Sequence, residues 1–151
     1  MFHTSIFDDI REGHAVLVTG AGVSGGARNR FGQPIIGSGQ LAKLVAQAAD
    51  FEYSNEDIKE VFDAVGPALG SIKFRRIFEE QFMQTTPSPA LVRTFGIPWR
   101  RAYTFNVDDT IENIRRKDTV QRLRYYNALK DRREEWKGFS ECQVVHLHGF
   151  A

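Results

Sequence analysis

Residues 15–19 (AVLVT) run straight into Gly20-Ala21-Gly22-Val23-Ser24-Gly25, and this junction sets the fold class. The apolar run carries two β-branched valines and no polar alternation, which predicts a strand of a parallel sheet buried on both faces. The glycines that follow satisfy the spacing G-x-G-x-x-G. Missing side chains there let the backbone turn sharply and let phosphate oxygens approach amide N–H groups. The dehydrogenase form of this turn opens a helix at once and has a second strand ending in an acid about 20 residues later. Here residues 25–37 (GGARNRFGQPIIG) hold four glycines and one proline, which predicts a long loop, and Asp50 ends a helix instead. A glycine turn that binds nothing is the competing reading.

Before this junction, Ile6, Phe7 and Ile10 stand at helical spacing between a Thr4 or Ser5 cap and a Gly13 stop, predicting a short amphipathic helix. After the loop, Ser38 is expected to cap a helix with Leu41, Leu44, Val45 and Ala48 on one face. Ser54 with Asp57 opens another, carrying Ile58, Val61, Phe62 and Val65. Pro67 fits the first turn of a third, whose stripe of Phe74, Ile77, Phe78 and Phe82 runs to the breaker TTPSP at 85–89. A fourth covers 90–95. Residues 101–105 (RAYTF) predict a second strand, followed by Asn106-Val107-Asp108-Asp109 and a helix through Ile111 and Ile114. Residues 119–127 (TVQRLRYYN) fit a strand or a helix start, and the alternation of Leu123 and Tyr125 with arginines favours a strand. The polar run 131–136 (DRREEW) reads as a solvated helix turn or loop. Residues 143–147 (QVVHL) then form a last strand ending in His148-Gly149. The sum is an α/β, Rossmann-like parallel sheet with flanking helices, treated as one domain over 1–151.

Composition narrows the function classes. Lys and Arg number 20 against 19 Asp and Glu, a formal charge of +1, so no global basic character points to nucleic acid. Charge is uneven, however: 50–63 is acidic and 115–124 basic, which gives a dipolar surface. Cys142 is the single cysteine, so neither an internal disulfide nor a multi-cysteine metal site is available. No apolar stretch approaches the roughly 20 residues of a membrane span, and the acids Asp8 and Asp9 spoil an N-terminal signal, so the expected compartment is the cytoplasm.

Two further constellations carry chemistry. Asn106 and Asp108 fall just past the carboxyl end of the second predicted strand. Asn106 offers an amide that both donates and accepts, and Asp108 an acceptor, suited to ribose hydroxyls. The alternative is that they cap a helix over 110–116. In His146-Leu147-His148-Gly149, the two imidazoles share one strand face and Gly149 permits close approach. For His146 a structural role is the favoured reading. All three constellations lie at carboxyl ends of predicted parallel strands, where open α/β sheets bind ligands.

GAGVS at 20–24, TFNVD at 104–108 and HG at 148–149, in that order, resemble the sirtuin catalytic domain, whose stretches read GAGxS, TQNxD and HG. The resemblance is closest to divergent bacterial sirtuin-like domains, many of them NAD-cleaving modules of antiphage systems. Phe105 in place of glutamine, and GGARNRFGQP in place of GIPDFR, depart from the protein-deacylase branch. The family's zinc module and second half-sheet follow HG, so the resemblance implies that this chain is the front half of the domain. It also implies that NAD⁺ is bound as substrate and its nicotinamide–ribose bond hydrolysed, with no metal held by this chain. Asn106 would hold a ribose hydroxyl or the attacking water, Asp108 would meet the nicotinamide carboxamide, and His148 would be the base. Gly20, Ala21 and Gly22 would receive the pyrophosphate, helped by Ser24, with Thr104 in the cofactor-binding set. Arg30 would pair with phosphate and Phe31 cover the nicotinamide ribose. A cationic pyridinium leaves as a neutral molecule, so the reaction asks for placement and a base and no general acid. Alternatives are an NAD-dependent protein deacylase or ADP-ribosyltransferase, and a catalytically silent nucleotide-sensing or scaffold domain. Expected partners are NAD⁺ and either a second copy, joined at an unpaired apolar edge beside 15–19, or further domains of a longer protein.

Overall fold

The computed structural model describes residues 5–131, 135 and 138–148. Its strands are β1 (Val16–Thr19), β2 (Arg101–Thr104), β3 (Arg122–Asn127) and β4 (Glu141–His146). They form one all-parallel sheet in the order β1-β2-β4-β3, and with the helices around it this is an α/β, Rossmann-like fold. The register aligns Thr19, Thr104, His146 and Asn127 at one level, so the strands reach their carboxyl ends together. The ladder continues one step further, with Phe105 N–H donating to Thr19 O (3.0 Å) and Leu147 N–H to Thr104 O (2.9 Å).

The helices are α1 (Ser5–Arg11), α2 (Ser38–Ala48), α3 (Ile58–Leu69), α4 (Ser71–Phe82) and α5 (Pro89–Phe95). Two apolar cores result. In the β1–β2 crossover, Leu41, Val45, Val61, Val65 and Phe82 join α2, α3 and α4. Beneath one face of the sheet, Leu91 and Phe95 of α5 pack with Ala102, Val144, Cys142, Ile111 and Ile114.

Several elements differ from the sequence reading. β1 is an edge strand, and only Leu17 on it packs against the core, while Val16 and Val18 are 47% and 64% exposed. Its apolar run therefore does not mark burial on both faces, because among the described residues cover comes from the α5 side alone. Gly37, not Ser38, is the N-cap of α2, and Asp57 caps α3 with Glu60 closing a reciprocal box (both bonds 2.9 Å). Pro67 lies inside α3, and the break falls at Gly70, whose φ of 74° is the left-handed region that glycine favours. The 90–95 helix starts at Pro89 under a Ser88 cap. Residues 119–127 resolve into strand β3, while β4 begins two residues early and ends at His146, leaving His148 in a turn.

The helix expected through Ile111 and Ile114 is absent, and these residues lie in irregular turns. The cause is a competing set of side-chain bonds. Asp108 Oδ1 accepts from Thr110 N–H (3.1 Å), and the Asp109 carboxylate reaches back to Gln84 N–H (2.6 Å), Thr85 N–H (3.0 Å) and the Thr85 hydroxyl (2.7 Å). Gly149 and most of the 131–136 run lie outside the described residues.

Candidate functional site

A single turn of 3₁₀ helix, Ala21–Ser24, follows β1 and delivers Ser24 to the carboxyl edge of the sheet. Asn106 and Asp108 arrive there from β2, with Asn106 N–H bonded to Thr104 Oγ1 (3.0 Å). The Ser24 hydroxyl donates to Asp108 Oδ2 (2.7 Å), and Asn106 Nδ2 donates to Ser24 Oγ (2.6 Å) while lying 3.3 Å from Asp108 Oδ2. All three residues are buried. No helix over 110–116 exists for Asn106 and Asp108 to cap, so that alternative is removed.

The network fixes which way the Asn106 amide points. Ser24 has one proton and gives it to Asp108, so the group facing Ser24 must be a donor, the Nδ2 side. Asn106 Oδ1 is then buried without a hydrogen-bond partner among the described residues. An unmet buried acceptor costs about 1–3 kcal/mol, which marks a place where a ligand donor would be welcome.

These residues line a cavity of about 270 Å³. Ala21, Ser24, Asn106 and Asp108 form one wall, Ile35, Ile36 and Leu41 an apolar one, and Phe105 another part of the rim. Gly37, the N-cap of α2, and Ser38, its first residue, also line it, so the N-terminus of α2 borders the cavity. Gly20 has an ordinary φ of −118°, and a Cβ added at Gly20 or Gly22 would meet nothing within 4 Å. Neither glycine is thus demanded by the turn itself, and the space beside both is open to a ligand.

The remaining sequence candidates sit differently. His148 is exposed, and its ring lies 5.4 Å from that of Phe105, tilted 55°, so it adjoins the cavity through Phe105 without lining it. Thr104 is buried and acts by holding Asn106. Arg30 and Phe31 are exposed on the loop and engage each other, the guanidinium 5.4 Å above the ring, and they do not line the cavity. His146 is buried and paired with Glu112, as a structural histidine would be.

Sequence reasoning passed over Asn29, which organises the long loop. Its Oδ1 accepts from Phe31 and Gln33 N–H (both 3.0 Å), and its Nδ2 donates to Gln81 Oε1 (3.2 Å), tying the loop to α4. An asparagine two residues ahead of an aromatic and a glycine is a signal for such a side-chain turn. Ile35 and Ile36, the apolar wall, gave no signal beyond their hydrophobicity. Deeper in the sheet, burial pushes the Cys142 thiol up to about 12. Burial first, and then the Glu112 charge, push the Tyr125 phenol up. No helix among the described residues is long and apolar enough to cross a membrane.

No protein-family model and no curated protein matches the chain.

Proposed function

We propose that this chain is a sirtuin-like module that binds NAD⁺ and hydrolyses its nicotinamide–ribose bond, giving ADP-ribose, nicotinamide and a proton. The observation that carries the reading is Asn106 Oδ1, unmet among the described residues, beside Asp108 in a cavity at the carboxyl ends of the adjacent parallel strands β1 and β2. The polar wall offers acceptors, and the N-terminus of α2, which borders the same cavity, offers amide donors. A planar carboxamide next to a ribose has both: N–H and O–H groups for Asn106 and Asp108, and a carbonyl for the α2 amides. The Asp108 carboxylate also offsets positive charge, first on the pyridinium and then on the ribosyl centre as the bond opens.

In this reading the open backbone at Gly20, Ala21 and Gly22 takes the pyrophosphate. His148, at the rim behind Phe105, removes the proton of the attacking water, a task suited to an imidazole, whose ordinary pKa of about 6.5 lies near neutrality. The same reading makes the chain a module of a bacterial antiphage protein working in the cytoplasm. The test is nicotinamide release from NAD⁺ with and without an acylated peptide. Release without peptide supports the hydrolase, release only with peptide supports the deacylase, and none with either refutes both. The solvent-side position of His148 favours a second reading, nucleotide sensing without turnover, which would give calorimetric NAD⁺ binding with no nicotinamide released.

A further inference from the structure

We infer that the buried Glu112–His146 pair is a positioning strut that holds the turn bearing Asn106 and Asp108 against the end of β4, and so fixes their place relative to His148. His146 closes β4 at the level of Thr104 and is 2% exposed. Glu112 comes from the irregular turn that follows Asp108, and its Oε1 lies 2.6 Å from His146 Nε2. Tyr125 of β3, whose phenol the nearby Glu112 charge helps push up, donates its hydroxyl to Ile111 O in the same turn (3.4 Å).

The turn needs such a tie because it has no helix of its own. Asp109 anchors its start to Thr85, outside the sheet. Ile111 and Ile114 anchor it in the core through contacts that are not directional. Glu112 supplies a short polar contact to the last residue of β4, two positions before His148. A carboxylate held in such a place without its partner would be driven toward water, taking the turn with it. The functional consequence rests on the proposed NAD⁺ site, whereas the mechanical role does not.

Hydrogen exchange on the 151-residue chain tests the strut without any ligand. In Glu112→Gln, amides of 108–114 should exchange faster by roughly two orders of magnitude, with β2 and β4 amides unchanged. Glu112→Asp keeps the charge and should restore part of the protection. Unchanged exchange in 108–114, a uniform rise across the sheet, equal behaviour of the two variants, or failure of both to fold would each overturn the inference. A parallel calorimetric titration with NAD⁺ should show weaker binding by Glu112→Gln than by the wild type. Absence of binding by the wild type would refute the proposed function and leave the exchange data to decide the strut.

Discussion

Removing the Ser24 hydroxyl tests the polar cluster through its energetics. In Ser24→Ala, Asp108 Oδ2 loses a 2.7 Å donor, and Asn106 Nδ2 loses its 2.6 Å acceptor and keeps only the 3.3 Å approach to Asp108. A hydrogen bond to a charged group contributes about 1.5–3 kcal/mol, and the site is buried, so screening by water is slight. No large cavity is added, since one oxygen is removed. The expected loss is therefore about 2 kcal/mol in urea unfolding followed by circular dichroism, or a fall in Tm of roughly 4–8 °C for a chain of this size. A double-mutant cycle with Asp108→Asn should assign about 1–2 kcal/mol of that loss to the pair. A Ser24→Ala protein within about 0.5 kcal/mol of the wild type would behave like a surface substitution, and the cluster would be no cluster.

Asn106→Ala should cost less stability than Ser24→Ala, because it also removes an unmet buried acceptor, yet it should abolish nicotinamide release; a wild-type rate would refute its role. Gly22→Ala should fold normally, since its Cβ meets open space, but weaken NAD⁺ binding measured by calorimetry. At pH 8 the Cys142 thiol, pushed up to about 12 by burial, should resist alkylation until the chain unfolds, and rapid labelling of the native protein would contradict that burial. The outer edge of β1, with Val16 and Val18 exposed, should drive self-association; light scattering should show Val18→Lys as the smaller species, and a wild-type monomer at all concentrations would refute this.

The carboxyl-edge placement of the Gly20–Ser24, Asn106–Asp108 and His148 motifs was legible because strand ends carry their own marks: short β-branched runs that stop at glycine or at a polar cluster. The register that aligns Thr19, Thr104 and His146 follows from those ends. What a strand packs against is a different question. The run at 15–19 has the composition of a fully buried strand, but composition states only which faces are apolar, and β1 lies at the edge with its valines exposed. Local periodicity likewise placed a helix at Ile111 and Ile114. It lost to the bonds of Asp109 with Thr85, a partner distant in sequence that no window contains. The Glu112–His146 pair was hidden for the same reason, since His146 alone reads as a structural histidine and no local pattern ties it to Glu112. Arg30 and Phe31 were chosen for their chemistry, and the fold turned them outward because Asn29 sets the direction of the loop.

If the cavity beside Ser24, Asn106 and Asp108 receives the nicotinamide end of NAD⁺, the side-chain amide of Asn106 reports on it directly. In a ¹H–¹⁵N correlation spectrum of the wild-type chain, titration with NAD⁺ should shift the Asn106 side-chain NH₂ pair together with the backbone amides of Gly22, Gly37 and Ser38, all along one saturable curve. An Asn106 pair that stays in place while NAD⁺ shifts other residues, or a spectrum that NAD⁺ leaves unchanged, would contradict the account.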